Sequence, residues 1–403
     1  MANLCITSKI GRLVREMPKP KVVRVVTASY VVPWHLANTL KRLPHDFDVT
    51  VVGQSVSENR GMYPDVNWVD IDLNRKPSLF ADLYSLWVLC RFFQRHRPDI
   101  VHSIMPKAGL ICALAAFICR VPIRLHTFTG QVWANKKFPA RPFYYWLDRI
   151  IVALNTACLT DSASQSGFLL RHHISCQGKP LPVLGKGSLS GADMSRFTGA
   201  TLAARADSLR AERGIGKNDF VFVYIARKSR DKGAIDMIEA FSRVANANPD
   251  ARLLFIGPDE SEGVLASMKT SNPALFGKVI DIGRVDNHEE YLRAAQVLCL
   301  PSRREGFGSI VIDAAAAGIP AIGSNIVGLV DSIDDGISGM LVPAGDIDKF
   351  VQAMQTMIED PRRCEQMGMA ARNRVEAHFT ADMMYALLKD YYQAQLARSS
   401  RRE

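Results

Sequence analysis

The stretch that decides the fold is residues 304–313, which read Arg-Glu-Gly-Phe-Gly-Ser-Ile-Val-Ile-Asp. The apolar residues 295–302 before it predict a short buried strand that runs into a loop. Residues 310–317 after it predict a helix of small side chains that stops at Gly318. A strand, a loop with two glycines and a helix N-terminus form a site for an anion, because the first backbone N–H groups of a helix have no partner within it.

Two carboxylates flank this predicted anion site. Glu305 lies before the helix, and Asp313 follows a little over two turns later. Ionised carboxylates accept hydrogen bonds from hydroxyl groups, whereas helix-terminal N–H groups bind phosphate. A nucleotide-sugar has both kinds of group and is the hypothesis that this stretch supports.

The rest of the chain alternates apolar runs with helical segments. Apolar runs without polar alternation stand at residues 21–27, 100–102, 220–226 and 252–257, and such runs are typical of parallel strands covered on both faces. The chain has 403 residues, which is more than the roughly 250–300 at which single cores stop growing. We therefore predict an α/β fold with two doubly wound, Rossmann-like domains that face a cleft.

A Gly- and Ser-rich crossing at residues 185–191 separates the two predicted domains. The predicted boundaries are 21–185 for the N-terminal domain, 186–375 for the C-terminal domain, and 376–403 for a helix that returns toward the first domain. Residues 1–20 are predicted to be a basic, loosely ordered lead-in. Ligands of doubly wound sheets bind outside the carboxyl ends of the strands, so we expect the site in the cleft.

Residues 77–97 predict a long amphipathic helix with a basic C-terminal end. Its apolar positions recur at helical spacing and are Leu79, Leu83, Leu86, Leu89 and Phe93.

The positive charge is confined to the first half of the chain. Residues 1–185 carry 23 Lys and Arg against 11 Asp and Glu, a balance of +12, and residues 186–403 carry 27 against 29, a balance of −2. One interpretation is a well-solvated basic surface, and the other is attraction to anionic lipid or to a diphosphate-bearing acceptor. No recognised nucleic-acid-binding motif accompanies the charge, so we expect no nucleic-acid partner.

The cysteines and the apolar runs bear on the compartment. The eight cysteines include no Cys-x-x-Cys pair, so neither a zinc site nor a redox motif is indicated, and a reducing cytosol is favoured. The longest apolar block, residues 109–119, is too short to cross about 30 Å of hydrocarbon, and no secretory hydrophobic region precedes the first charges. We expect a cytoplasmic protein whose membrane contact, if any, is peripheral.

Two cations follow the first strand of the second predicted domain. Arg227 and Lys232 leave the same strand end, and Gly233 opens the next helix. Such cations beside a helix N-terminus are able to clamp a diphosphate, although a solvated basic loop has the same composition.

Taken in order, these elements resemble the retaining family-4 (group 1) glycosyltransferases of the GT-B fold. Arg227 with Lys232, the segment 301–308 and the spacing from Glu305 to Asp313 carry the family resemblance. The crossing at 187–197 and the segment 125–133, Leu-His-Thr-Phe-Thr-Gly-Gln-Val-Trp, resemble the branch that makes bacterial capsule, O-antigen and exopolysaccharide.

The resemblance implies a role for each matching residue. Arg227 and Lys232 would hold the donor diphosphate, and Glu305 would bind hydroxyl groups of the donor sugar. His126 would lie near the C6 hydroxyl of that sugar, and these four form the predicted catalytic set. The remaining donor-binding positions would be Gly283 and Arg284 at the base, Asp313 at the ribose, and the backbone of Gly306, Phe307, Gly308 and Ser309 at sugar or phosphate.

Two departures from the family pattern affect these roles. Asp313 stands where the family usually has Glu, and it is one methylene shorter. The loop at residues 28–35 lacks the Gly-Gly pair of many members. Its Tyr30, Trp34 and His35 either shape the acceptor pocket or form a packed aromatic cluster.

The implied activity is the retaining transfer of a hexosyl or N-acetylhexosaminyl group from a nucleotide-diphosphate sugar, with uridine favoured as the base. The acceptor would be a polyprenyl-diphosphate-linked saccharide at the cytoplasmic membrane face. No cofactor or metal is expected, because fixed cations and helix-terminal amides stabilise the leaving diphosphate. A nucleotide-sugar epimerase or hydrolase and a non-catalytic nucleotide-sugar-binding subunit remain as alternatives, and no oligomeric state is predicted.

Overall fold

Two six-stranded parallel sheets form the framework of the computed structural model, which describes residues 18–73 and 78–401. The first sheet contains β1 (Lys21–Ala28), β2 (Asp48–Gln54), β3 (Asn67–Asp70), β4 (Ile100–Ile104), β5 (Ile123–Phe128) and β6 (Ala157–Thr160). The second contains β7 (Phe220–Ile225), β8 (Ala251–Ile256), β9 (Val279–Ile282), β10 (Val297–Leu300), β11 (Ala321–Ser324) and β12 (Gly339–Val342). The predicted α/β class with two doubly wound domains is confirmed.

Helices connect the strands and cover both faces of each sheet. In the first half they are α1 (Ala37–Leu40), α2 (Leu79–His96), α3 (Pro106–Ile118), α4 (Ala140–Leu154), α5 (Ala163–Arg171) and α6 (Ala200–Glu212). In the second half they are α7 (Ala234–Ala247), α8 (Val264–Ser271), α9 (Pro273–Phe276), α10 (His288–Arg293), α11 (Ser309–Ala316), α12 (Leu329–Ser332), α13 (Ile347–Glu359), α14 (Pro361–His378) and α15 (Ala381–Ser399).

Both sheets have the same strand order. The first runs β3-β2-β1-β4-β5-β6, and the second runs β12-β11-β10-β7-β8-β9. The order therefore reverses between β1 and β4 in the first sheet and between β7 and β10 in the second. Ligands of doubly wound sheets bind at such a reversal, outside the carboxyl ends of the strands.

The second sheet is buried on both faces because its strands are apolar at successive positions. In β7, Val221 and Val223 pack with α6, α10, α11 and α14, whereas Phe222 and Tyr224 face α7 and α13. The first sheet has the same arrangement, with α2 and α3 on one face and α1 and α15 on the other.

The chain returns to the first domain at its C-terminal helix. Residue Ala192 in the interdomain crossing forms a bridge with Thr380, and α15 then packs on the first sheet. The hydroxyl of the buried Tyr392 lies 2.7 Å from Nδ1 of His102 and accepts a hydrogen bond from Arg24 at 3.1 Å. Burial lowers the pKa of His102 well below its usual value, so its ring is neutral and makes one hydrogen bond to Tyr392 and one to Thr127.

The predicted amphipathic helix is present as α2, but only part of its apolar series is buried. Leu89 and Phe93 lie in the core, whereas Leu79 and Leu83 are exposed. Pro77, the predicted first residue of this helix, and residues 1–17 of the predicted lead-in at 1–20 lie outside the described residues. Within 18–73 and 78–401, no helix is both long enough and apolar enough to cross a bilayer.

Candidate functional site

A cavity of about 630 Å³ lies between the carboxyl edges of the two sheets. The first domain contributes Trp34, Lys107 and Thr129 to its wall, among other residues. The second domain contributes the loop after β7, the loop after β9 and residues 304–310. The cavity therefore occupies the position at which a doubly wound sheet binds its ligands.

Hydrogen bonds cross the cleft beside this cavity. The backbone N–H of Ser164 donates to Asp331 Oδ2 at 3.1 Å, and Ser164 Oγ accepts from the backbone N–H of Gly328 at 2.9 Å. Asn135 Nδ2 donates to the carbonyl oxygen of Arg303 at 2.9 Å. These bonds hold the loops of the second domain close to the first domain.

The loop after β7 approaches the loop after β10 closely, because the residue at their contact is a glycine. Gly233 has a φ of +68°, and a Cβ at this position would clash with the carbonyl oxygen of Pro301. Only glycine satisfies both conditions without strain. This close packing brings Lys232 into contact with the loop that holds Glu305.

Lys232 and Glu305 form an ion pair at the centre of the site. Lys232 Nζ lies 2.7 Å from Glu305 Oε2, and both side chains are largely shielded from solvent. The other carboxylate oxygen of Glu305 accepts a hydrogen bond at 2.9 Å from Ser302, which is buried. Two fixed partners therefore orient the Glu305 carboxylate toward a single geometry.

Helix α11 begins beside this pair. Gly308 precedes it with a φ of +77°, and the helix starts at Ser309, one residue before the predicted start. Both residues lie on the cavity wall, as does the backbone of Gly306. Phe307 is buried and packs its ring 5.4 Å from that of Phe379, so the side chain anchors the loop. The helix N-terminus supplies partial positive charge at the cavity.

The guanidinium of Arg227 also lies at the cavity wall, where it pairs with Glu260. Arg304 pairs with Asp231 at 2.9 Å on the same side of the site. Arg227 and Lys232, the two predicted diphosphate ligands, are thus both on the cavity wall, and each is paired with a carboxylate that an anionic ligand could replace.

The predicted base site lies where the two domains meet. Arg284 is on the cavity wall, and its guanidinium stacks 5.7 Å from the ring centroid of Trp34 in the first domain. Trp34 in turn packs edge-on against Tyr30, with ring centroids 5.8 Å apart. Both aromatic residues line the cavity, whereas Gly283 does not. The aromatic residues of this loop therefore form a packed pair and shape the pocket at the same time.

Asp313 lies on the cavity wall at the second turn of α11. Its Oδ2 atom is 3.1 Å from Nε2 of His288, which begins helix α10. The short Asp side chain is thereby held toward α10. A ribose hydroxyl would have to share this carboxylate with the imidazole.

The structure corrects the prediction for His126. This residue lies within β5 of the first sheet, and its side chain is buried. Its Nδ1 atom is 2.9 Å from Ser103 Oγ. It packs against helix α3 at Gly109, where a Cβ would clash with the ring. Burial lowers the pKa of His126 to about 3, so the ring is neutral. The side chain is not on the cavity wall, and Thr129 beyond the strand end is.

His35 belongs to the cavity wall, although its role was left open by the sequence. It sits in a π-helical turn, Val32–Leu36, and its Nδ1 atom is buried without a hydrogen-bond partner. Burial lowers the pKa of His35 to about 4; Lys232 lowers it further, and Glu305 opposes the shift. A neutral imidazole therefore faces the charged pair from the other domain.

Sequence reasoning missed Asp161, which follows β6 and is buried at the cavity. A Cβ on Gly306 would clash with the carboxyl group of Asp161, so the two domains approach each other through a glycine. Burial raises the pKa of Asp161 well above its usual value, and Glu305 and Asp331 raise it further. A raised pKa favours the protonated form of the carboxyl group, and that form is able to donate a hydrogen bond. The only sequence signal was an acidic residue directly after an apolar strand.

Two family profiles match the chain. The profile of glycosyl transferases group 1 matches residues 206–374, and that of the glycosyl transferase 4-like domain matches residues 28–175. The two matches are consecutive and fall on the second and the first sheet, respectively.

Two curated relatives match most of the chain. The capsular polysaccharide biosynthesis glycosyltransferase CapM of Staphylococcus aureus is 28% identical over 390 residues, which are 95% of this chain and 99% of CapM. A UDP-Gal:alpha-D-GlcNAc-diphosphoundecaprenol alpha-1,3-galactosyltransferase of Escherichia coli is 26% identical over 323 residues, with 79% of this chain and 81% of the relative covered.

Solved structures share the fold. Anabaena HepE, crystallised in complex with UDP-glucose, superposes with a TM-score of 0.77 at 15% identity and covers 93% of this chain and 99% of its own. Sucrose-phosphate synthase from Thermosynechococcus elongatus superposes with a TM-score of 0.78 at 18% identity, covering 94% of this chain and 100% of its own. These neighbours identify the two-domain arrangement as the GT-B fold.

Proposed function

We propose that this chain, which belongs to the group 1 glycosyltransferases, moves a sugar from a uridine-diphosphate donor to a polyprenyl-diphosphate-linked saccharide with retention of anomeric configuration. The transferred group is a hexosyl or N-acetylhexosaminyl unit, and the product belongs to a bacterial surface polysaccharide such as capsule or O-antigen.

The ion pair between Lys232 and Glu305 is the observation that carries this proposal. Its 2.7 Å contact stands beside the N-terminus of α11, at the strand-order reversal of the second sheet. A donor diphosphate would take Lys232 as its counterion, and the sugar hydroxyls would take Glu305. The site therefore offers a cation to the leaving group and a carboxylate to the sugar at neighbouring positions.

In the proposed step, the bond from the anomeric carbon to the diphosphate oxygen breaks, and a bond from the same face to the acceptor oxygen forms. The acceptor proton passes to the leaving phosphate. Arg227, Lys232 and the N-terminus of α11 stabilise the charge that develops on this phosphate. Glu305 orients the donor sugar. Because these fixed groups neutralise the diphosphate, we expect transfer to persist when divalent cations are chelated.

The acceptor side of the proposal has two supports. The name of the Escherichia coli relative specifies a diphosphoundecaprenol-linked acceptor, and that of the Staphylococcus aureus relative specifies capsular polysaccharide. The positive balance of residues 1–185 suits a diphosphate and an anionic membrane surface. We therefore propose that the protein works peripherally at the cytoplasmic face of the membrane.

The experiment combines a donor screen with product analysis. A thermal-shift screen of UDP-, GDP- and ADP-sugars identifies the donor, because a ligand that binds the folded state raises its melting temperature. Transfer from that donor to a short-chain polyprenyl-diphosphate N-acetylhexosamine is then followed by mass spectrometry, with and without chelator, and the linkage by NMR.

An α-linked product from an α-linked donor supports the proposal. Free sugar as the main product in the presence of acceptor would favour a hydrolase, a change in the donor sugar without transfer would favour an epimerase, and donor binding without turnover would favour a binding subunit.

A further inference from the structure

Apolar side chains are exposed on one side of the first domain. More than half of the large apolar side chains that are exposed within residues 18–73 and 78–401 lie between residues 79 and 150. We call nine of them the aromatic face: Leu79, Phe80, Leu83, Tyr84, Trp87, Phe138, Phe143, Trp146 and Ile150. Clusters of this kind on a folded protein mark a surface that meets a partner or a membrane.

The aromatic face is built from α2, from α4 and from Phe138 just before α4. Helix α3 packs against both α2 and α4, so the two helices flank it on the same side of the first sheet. On α2 the exposed positions Phe80, Tyr84 and Trp87 recur every three to four residues, which places them on a single stripe. Phe80 and Phe138 are each 85% exposed, which is far more than a packed core residue would be.

Basic residues lie beside two of these rings. Residues 79–150 contain ten Lys and Arg against three Asp, a balance of +7. Arg91 lies 5.1 Å from the ring centroid of Trp87, and Arg149 lies 5.2 Å from that of Trp146. Trp beside Arg is the combination found at the water boundary of a bilayer, where the ring enters the interface and the cation meets lipid phosphate.

The aromatic face adjoins the mouth of the cavity. Phe143 belongs to both, and Asp82, Lys107 and Tyr144 line the cavity from the N-terminal ends of α2, α3 and α4. The ends of these helices therefore connect the exposed apolar surface to the space between the domains. A headgroup held at this surface would have a short path to the site.

We infer that the aromatic face inserts into the interfacial region of an anionic bilayer and turns the cavity mouth toward the lipid headgroups. The inference rests on the proposed function, because a lipid-linked acceptor must be met at the membrane. Insertion differs from attraction by charge alone, because the exposed rings add a contribution to the binding free energy that salt does not screen.

The test compares vesicle binding of two double variants. Flotation with phosphatidylglycerol–phosphatidylcholine vesicles is measured for the wild type, for Trp87→Ala/Trp146→Ala, and for the control Ile337→Ala/Met369→Ala, which removes equally exposed apolar side chains from the second domain. We expect the control to bind like the wild type and the Trp variant to bind at least about tenfold more weakly. As the salt concentration rises, vesicle binding of the wild type should fall but not vanish, whereas vesicle binding of the Trp variant should vanish.

A second readout separates this inference from the proposed function. UDP binding by calorimetry and transfer to a water-soluble acceptor should be the same in the Trp variant and in the wild type, while transfer to an acceptor embedded in vesicles should fall. Equal vesicle binding by the wild type and the Trp variant would overturn the inference even if transfer occurs. A wild-type dimer in light scattering that the Trp substitutions dissociate would also overturn it, because a second copy would then cover the face. Failure to bind UDP would instead contradict the proposed function.

Discussion

The two domains have the same strand order, yet their carboxyl edges differ in chemistry. The second edge carries fixed charges, with Lys232 and Glu305 2.7 Å apart and Arg227 beside them. The first edge presents aromatic rings such as Trp34 and the neutral His35, and its Lys107 forms an ion pair with Asp82 of the same domain at 2.7 Å. The sheet therefore supplies only the position of a site, and the loops after each strand decide its chemistry.

The difference extends to the outer surfaces. Helices α2 and α4 of the first domain expose apolar rings among basic residues, and the first half of the chain carries the whole positive excess. We interpret the first domain as the part that meets the membrane and the second as the part that holds the donor. Substitutions of Glu305, His126 and Asp313 test this division.

Replacement of Glu305 by Gln should have the largest effect. It keeps the size of the side chain and the acceptor for Ser302, but removes the charge that pairs with Lys232 and that we propose binds the sugar hydroxyls. We expect kcat/KM for transfer to fall about 100- to 1000-fold, as measured by product formation under initial-rate conditions.

The control is Glu359→Gln, an exposed carboxylate at the end of α13. If Glu305→Gln turned over donor as fast as this control, the charged edge of the second domain would not be the donor site.

Replacement of His126 by Asn tests whether this residue is structural. The folded pKa is about 3 and the unfolded value about 6.5, so the neutral form is favoured in the folded protein. Stability that is present above pH 6.5 is lost as the pH falls toward 3, because the unfolded chain binds the proton first. In the wild type, this protonation lowers the free energy of unfolding by about 3 kcal/mol at pH 4.

Denaturant unfolding at pH 7 and pH 4 measures the effect. The difference in unfolding free energy between the two pH values should be smaller in His126→Asn than in the wild type, while transfer at pH 7 persists. A variant with wild-type acid sensitivity and no transfer activity would return His126 to the catalytic set.

Replacement of Asp313 by Asn should have the smallest effect. The carboxylate is already shared with His288 at 3.1 Å, so its contact with a ribose replaces an existing partner. We expect UDP to bind about fivefold more weakly, which corresponds to roughly 1 kcal/mol. Inorganic pyrophosphate lacks the ribose, and its affinity should not change. An equal loss for both ligands in calorimetry would mean that Asp313 supports the phosphate site instead.

The fold and the helix after residues 304–308 could be predicted from the sequence because both depend on local order. Apolar runs without alternation predict parallel strands, and the small side chains of residues 310–317 predict α11 to within one residue of its start. The position of His126 could not be predicted in this way. Whether a side chain at the end of a strand points into the cleft or into the core depends on the helix packed against it, here α3 at Gly109.

The exposed part of α2 and the buried Asp161 were also beyond sequence reasoning. Leu79 and Leu83 continue the helical spacing of the buried Leu89, so spacing alone assigns them to the same face. Asp161 approaches Gly306 across the cleft, and that distance depends on how the two domains close. Both features follow from contacts between elements that are far apart in the chain.

We propose above all that Lys232 binds the donor diphosphate and that Glu305 binds the donor sugar. Calorimetric titration of UDP, which lacks the sugar, into Lys232→Ala and Glu305→Gln tests this claim directly. We predict that Lys232→Ala binds UDP at least about tenfold more weakly than the wild type, and that Glu305→Gln binds it no more weakly, since Lys232 is released from its ion pair. Wild-type affinity for UDP in Lys232→Ala would contradict the account.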